Sequence, residues 1–214
     1  MIKIIIADDH AIFREGVKRI IDSAADITVV AEAADGDAVM RQVRDSEFDV
    51  VLMDMSMPGR SGIDLIKWIR LHAPNCQILV LSMHEEMQYA VRAIRAGARG
   101  YLTKESAPNL LVEALRKIAS GGAFISSEIA EQLVLGATAG GVPRPHESLS
   151  DREFNVFLLL AVGVSNSEVA VKLGISVKTV STHKANLMQK MGLSNQSDLI
   201  RYAMRHELID QSTR

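Results

Sequence analysis

The chain has 214 residues, 48% of them apolar and 23% charged, with a formal net charge of −2. That length suits one or two domains with cores of their own, and the composition excludes disordered, collagen-like and disulfide-framework classes. No uncharged apolar run reaches about 18 residues, which argues against a membrane span, and MIKIIIADDH meets carboxylates too early for a secretory leader.

The first 120 residues alternate short β-branched runs with helical patterns. Lys3–Ala7, Ile27–Ala31, Val50–Met53, Ile78–Leu81 and Gly100–Thr103 read as strands, and stretches near 11–24, 36–46, 61–72, 86–96 and 107–120 read as helices. Continuous apolar strands separated by helices predict an α/β domain, a doubly wound, flavodoxin-like sheet of five parallel strands covered on both faces. Cys76, the sole cysteine, enters the fourth strand from a Pro-Asn turn. It is expected to be a buried small hydrophobe, in keeping with a reducing cytoplasm.

Ligands of such sheets bind outside the carboxyl ends of the strands, where the strand order switches. Asp8 and Asp9 follow the first predicted strand, Asp54 the third, Ser82 the fourth and Lys104 the fifth. An acid pair, a lone acid and a lysine on one rim make a site for a divalent cation and a phosphoryl group. A carboxylate and a phosphate repel each other, and Mg²⁺ between them removes that repulsion while tolerating only a few carboxylates. Asp8, Asp9 and Asp54, with the backbone carbonyl of Ser56, supply the set. Lys104 would pair with a phosphoryl oxygen as a point charge, and Ser82 would donate its hydroxyl to another. His10 is expected to orient the loop beside the acid pair, and Met53, Met55 and Met57 to pack around the site. Trp68 is expected to be core or partly exposed packing, and the six histidines show no metal-ligand spacing.

Gly121-Gly122 ends the last of these helices, Ser126–Leu135 predicts one more, and GATAGGVPRPHES (Gly136–Ser148) reads as a flexible linker. The charge divides here too. Residues 149–214 carry eight Lys and Arg against six Asp and Glu, and the rest carries 16 against 20, a bias that fits two domains with different partners. From Leu149 the pattern is helical only. Ser150–Glu153 and Ser165–Glu168 have capping-box spacing, and a second helix stops at Gly174. A third runs from Val177 to about Lys190, and a fourth covers Gln196–His206, so the region predicts four helices with a helix-turn-helix. At 100° per residue, Val177, Val180, Leu187 and Met191 form the inward stripe of the third helix. Lys178, Thr182, Ala185 and Gln189 face outward with Ser181 beside them, a small polar face that suits a major groove. Lys184 is expected to snorkel toward a phosphate, and Lys190 to meet a phosphate or complement the helix end. Charge alone does not reject a protein-binding bundle.

The pieces ADDH, DMSMPGRSG, Ser82, Tyr101 and Lys104 make residues 1–120 resemble the receiver domain of a two-component response regulator. LSDRE and GVSNSEVAVKLGISVKTVSTHKANLMQKMG resemble the LuxR-type helix-turn-helix, with Asn166, Glu168, Thr179, Val180, His183 and Asn186 where that pattern places them. Together they resemble a NarL/FixJ-type regulator: receiver 1–120, connector helix and linker 121–148, output domain 149–214. The resemblance implies that a histidine kinase or small phosphodonor phosphorylates Asp54 with Mg²⁺. Ser82 then swings toward the phosphoryl oxygen, and Tyr101 turns inward. It also implies slow autodephosphorylation, tuned at Ser56 and His84. The output domain would bind promoter DNA through Lys178, Thr179, Ser181, Thr182, Lys184, Ala185, Gln189 and Lys190. A homodimer through the last helix (Leu199, Tyr202, Ala203) is implied as well, with RNA polymerase as a further partner.

Three positions depart from the family pattern. Asn155 and Ser181 replace a usual acid and a frequent lysine. Glu105 stands where proline often follows the lysine, leaving the isomer of that peptide bond open. Two rivals stay in play. An aspartyl-nucleophile phosphatase or phosphotransferase would need a second acid where Ser56 stands, and a degenerate receiver would bind DNA without phosphorylation.

Overall fold

The computed structural model describes residues 1–57, 62–83, 87–138, 144–206 and 208–209. They fall into two compact units, Met1–Gly140 and Gly141–Arg214.

In the first unit, β1 (Ile2–Ala7), β2 (Ile27–Ala33), β3 (Val50–Asp54), β4 (Gln77–Ser82) and β5 (Gly100–Thr103) alternate with α1 (Ala11–Asp22), α2 (Gly36–Asp45), α3 (Gly62–His72), α4 (Met87–Ala96) and α5 (Ala107–Ala119). All pairings are parallel, in the order β2-β1-β3-β4-β5. The order reverses between β1 and β3, and that crevice receives Asp8 and Asp54. Side chains alternate along each strand. Ile4, Ile6, Val50, Leu52, Leu79, Leu81 and Leu102 therefore share one face, packed on Val17 and Ile21 of α1 and Leu111, Leu115 and Ile118 of α5. Asp8, Asp54 and Lys104 continue that face beyond the strand ends, whereas Ser82 and Tyr101 continue the opposite one.

β2 extends past its apolar run to include Glu32. A sheet partner continues alongside, and Arg14 and Lys18 of α1 neutralise the carboxylate. Cys76 is buried as expected, and burial pushes its thiol up to about 11. At Gly100 an added Cβ would lie 2.6 Å from Leu79 Cδ1 and 3.1 Å from the Phe124 carbonyl oxygen, so glycine gives Phe124 room to bridge the strand there. Phe124 exchanges hydrogen bonds with Arg99 and Tyr101, which ties the segment after α5 to the sheet edge.

The expected linker is ordered at both ends. The connector helix, α6 (Ser127–Thr138), runs three residues beyond the predicted end and packs on α4. Pro145–Ser148 forms a 3-10 turn whose buried His146 lies 2.7 Å from the Tyr202 hydroxyl. The two units divide within this glycine- and proline-rich stretch, and at its far end burial of one histidine holds the chain in the 3-10 turn.

The second unit holds α7 (Asp151–Ala161), α8 (Asn166–Leu173), α9 (Val177–Met191) and α10 (Gln196–Arg205). Both predicted capping boxes form, and Ser176 caps α9. Gly174 ends α8 with φ 63°, a left-handed conformation that needs no Cβ and makes the sharp turn into α9. Phe154, Phe157, Leu160, Val169, Val180, Leu187, Leu199 and Ala203 fill the core.

Two expectations are corrected here. Val177 is 46% exposed rather than part of the buried stripe. It is the first helical residue, and side chains there lean past the helix end. Leu199 and Ala203 are fully buried within their own domain and are not available to a second copy. The exposed face of α10 is Ser197, Arg201, Met204 and Arg205.

Candidate functional site

The acid cluster forms where the strand order predicts it. Asp54, the last residue of β3, is 2% exposed, as is Asp8 just past β1. Asp54 Oδ1 accepts the Ser56 backbone N–H at 3.2 Å, and Oδ2 accepts the Lys104 ammonium at 2.8 Å. The same ammonium lies 2.6 Å from Asp8 Oδ2, so one buried cation spans two buried carboxylates brought together from three strands. The Phe13 ring, 4.5 Å from the ammonium, walls it off from water. Burial alone would lower the Lys104 pKa, but the hydrogen bonds and charges of Asp54 and Asp8 outweigh it and hold the pKa above its ordinary value. Lys104 is therefore charged throughout the neutral range.

Asp8 is held from several sides. Its Oδ1 accepts the His10 N–H at 2.8 Å, and its main-chain carbonyl accepts Arg14 Nη1 at 2.6 Å. Arg14 Nε reaches Glu32 of β2 at 3.2 Å, so one guanidinium fixes the loop to its neighbouring strand. Asp8 Oδ2 is buried and pairs with the Lys104 ammonium. Ligand atoms of Asp8, Asp9, His10 and Asp54 all lie within 4.8 Å of one another, so the residues present fit a divalent ion.

The rest of the expected set is arranged around this cluster. Ser82 is fully buried at the end of β4, and its carbonyl accepts the Lys104 N–H at 2.8 Å. Tyr101 is already buried, so an inward turn would begin from a ring out of solvent. Met53, Met55 and Met57 are buried beside the site, and Ser56 is exposed. No cis peptide bond occurs among the described residues, so Lys104–Glu105 is trans. His84 and the Pro58-Gly59 turn lie outside the described residues. Arg14 and Glu32 were missed in the sequence. The one available signal was Arg14 standing four residues after His10, one helical turn above the acid loop.

Residues 4–116 match the family described as response regulator receiver domain, and residues 147–203 match the luxR family of bacterial regulatory proteins. The chain is 37% identical to the oxygen regulatory protein NreC of Staphylococcus carnosus, covering 97% of this chain and 99% of that one. It is 35% identical to the response regulator UvrY of Escherichia coli, over 100% of this chain and 98% of that protein. The chain belongs to the NarL/FixJ-type response regulators. A solved relative is RcsB from Salmonella enterica serovar Typhimurium, bound to promoter rprA in the presence of phosphomimetic BeF3⁻. It has 31% identity and a TM-score of 0.58, covering 95% of this chain and 99% of that chain. Membership places the regulator among phosphorylation-dependent, DNA-binding transcription factors. No helix among the described residues is long and apolar enough to cross a membrane.

In the regulator's output unit, α9 exposes Lys178, Thr179, Ser181, Thr182, Ala185, Gln189 and Lys190. Ser181 and Thr182 turn their hydroxyls onto the carbonyls of Val177 and Lys178, and Thr179 shares a 2.8 Å contact with Ser176. Their oxygens keep lone pairs for an incoming donor. Two of the expected phosphate contacts already have protein partners. Lys184 donates to Gln196 Oε1 at 2.9 Å, and Lys190 pairs with the buried Glu153 at 2.7 Å. Spacing along one helix could not show either partner, because both lie on other helices.

Burial by itself raises the Glu153 pKa, but Lys190 and the Ser150 cap more than reverse that and leave it lowered. A carboxyl lowered on folding stabilises above its unfolded pKa, about 4.3, and loses that contribution as pH falls through the folded value. Lys190→Ala is therefore expected to cost about 1 kcal/mol at pH 7, the pair being part-exposed. The two proteins should begin to converge in stability only as pH falls below about 4.3, and urea melts across pH 2–7 check this.

Proposed function

We propose that Asp54 is the phosphoacceptor of this regulator and that its phosphorylation licenses promoter binding by α9. The observation that carries the reading is the Lys104 ammonium held between the buried carboxylates of Asp8 and Asp54. When a histidine kinase presents its phosphohistidine, an Asp54 oxygen attacks phosphorus and the P–N bond breaks. The imidazole leaves, and an acyl phosphate forms. Mg²⁺, held by Asp8, Asp9, Asp54 and the Ser56 carbonyl, would supply charge neutralisation between carboxylate and phosphate.

Lys104 transfers its ion pair from Asp54 Oδ2 to a phosphoryl oxygen, and Ser82 donates its hydroxyl to another. Moving Ser82 disturbs β4 next to Tyr101, whose register partner is Val80. The neighbouring α4 carries the packed connector helix α6, which gives the phosphoryl group a bistable element to bias. Slow hydrolysis of the acyl phosphate by water at the exposed Ser56 side of the site resets the switch.

On the output side, the exposed α9 residues enter the major groove, with Lys178 on the backbone and Thr179, Ser181, Thr182, Ala185 and Gln189 toward base edges. Lys184 and Lys190 reach phosphates only by leaving Gln196 and Glu153. A second copy pairs through the exposed face of α10, giving half-sites about one helical turn apart, and RNA polymerase is the downstream partner. Operator binding by the full chain should tighten at least tenfold on adding beryllofluoride with Mg²⁺ (about 1.4 kcal/mol of coupling). Equal affinity in both states would sink the switch.

A further inference from the structure

We infer that α9 selects A·T base pairs, with Val177 and Ala185 covering thymine methyls and the Ser181 and Thr182 oxygens accepting from adenine amino groups. The inference deepens the proposed function and rests on its reading that α9 enters the major groove. Val177, the first residue of α9, is 46% exposed instead of joining Val180, Leu187 and Met191 in the core. The N-terminal residues of a recognition helix are the ones that meet base edges. Ser181 and Ala185 follow at four-residue intervals and are exposed as well, so the three share one ridge of the helix. A valine has no hydrogen bond to offer, and the apolar group it can cover in the major groove is the thymine C5-methyl.

The polar groups beside it favour the same pair. Ser181 donates its hydroxyl to the Val177 carbonyl at 3.0 Å, and Thr182 donates to the Lys178 carbonyl at 3.1 Å. With those protons committed, both oxygens can only accept. Guanine presents two acceptors in the major groove and finds no donor in them, whereas adenine and cytosine each present an amino group. The methyl of thymine then separates A·T from G·C. Arginine, the commonest reader of guanine, does not occur in α9. Lys184 and Lys190, which could replace it, are engaged by Gln196 and Glu153, and Lys178 is placed on the phosphate backbone. Gln189 is exposed on the same helix, and its amide matches the N6 and N7 of adenine.

The test selects bound duplexes from a randomised pool with the full chain in beryllofluoride and Mg²⁺, then measures affinity for the preferred duplex and its base analogues. The selected half-sites should be A·T at the steps α9 covers. Deoxyuridine in place of thymidine removes only the methyl and should weaken binding about fourfold at the pair Val177 covers, the worth of one buried methyl. Val177→Ser should bind the thymidine and deoxyuridine duplexes equally at that pair. Purine in place of adenine removes the amino group and should weaken binding about fivefold, as the loss of one hydrogen bond does. The analogue arms leave the protein unaltered, so a misfolded variant cannot mask the result. Discrimination that persists in Val177→Ser would overturn the assignment to Val177. Half-sites of G·C pairs under α9, or equal affinity for thymidine and deoxyuridine at every position, would overturn the A·T reading and leave DNA binding intact. A pool from which wild type selects nothing would overturn the DNA-binding reading and this inference with it.

Discussion

Asp54→Asn is expected to end phosphoryl uptake without unfolding the protein. An amide oxygen is not a nucleophile toward phosphorus, so incubation with acetyl phosphate and Mg²⁺ should add one phosphoryl group to wild type by intact mass and none to the variant. The amide keeps the volume of the carboxylate and can still accept the Ser56 N–H. Lys104 keeps Asp8 as counter-ion at 2.6 Å. The wild-type site crowds two buried carboxylates around one ammonium, with Asp9 nearby, so removing a negative charge relieves repulsion. Without Mg²⁺ the variant should melt at or above the wild-type temperature, and the stabilisation that Mg²⁺ confers on wild type should shrink. A variant that still takes up phosphate would move the acceptor elsewhere.

Lys104→Met should act in the opposite sense on stability. It strips the cation from between Asp8 and Asp54 and leaves two buried carboxylates facing each other. Breaking a buried pair from one side costs about 3–5 kcal/mol, because the abandoned charge stays in the interior. Mg²⁺ should recover part of that loss, so the variant's melting temperature should respond more steeply to Mg²⁺ than that of wild type. Adding Asp54→Asn to Lys104→Met should also restore stability, a coupling a double-mutant cycle measures directly. Lys104 has a raised pKa, so its contribution is full below the unfolded value near 10.4 and is lost only as pH rises through the folded value. The difference between Lys104→Met and wild type should therefore hold from pH 7 to about pH 10 and close only in stronger alkali. Phosphoryl uptake should fall with Lys104→Met even where folding is recovered, because no cation remains to follow the charge onto the phosphoryl oxygens.

Much of the fold was legible because it depends on period. Runs such as VVLM and ILVL are apolar throughout, as strands buried on both faces must be. The strand-end rule puts Asp8, Asp54, Ser82 and Lys104 on one rim, and the structure brings the charges of Asp8, Asp54 and Lys104 into contact there. The two capping boxes were legible because they are local, with donor and acceptor three residues apart. Illegible features join distant parts of the chain. His146 looks like linker until Tyr202, 56 residues away, meets its ring. Lys190 looks like a DNA contact until Glu153 takes its charge. Leu199 and Ala203 look like a dimer stripe until the domain core is seen to consume them.

The same division runs through the site. The sequence by itself determined the alternation of strands and helices, the rim on which the acids and lysine stand, and the helix with a small polar outer face. Those follow from side-chain periodicity and chain direction, which are local properties of the backbone. Only the tertiary structure decided that one ammonium is shared between two carboxylates, and that Arg14 anchors the acid loop to β2. Those depend on Coulombic and hydrogen-bond distances between elements, which no spacing along the chain encodes.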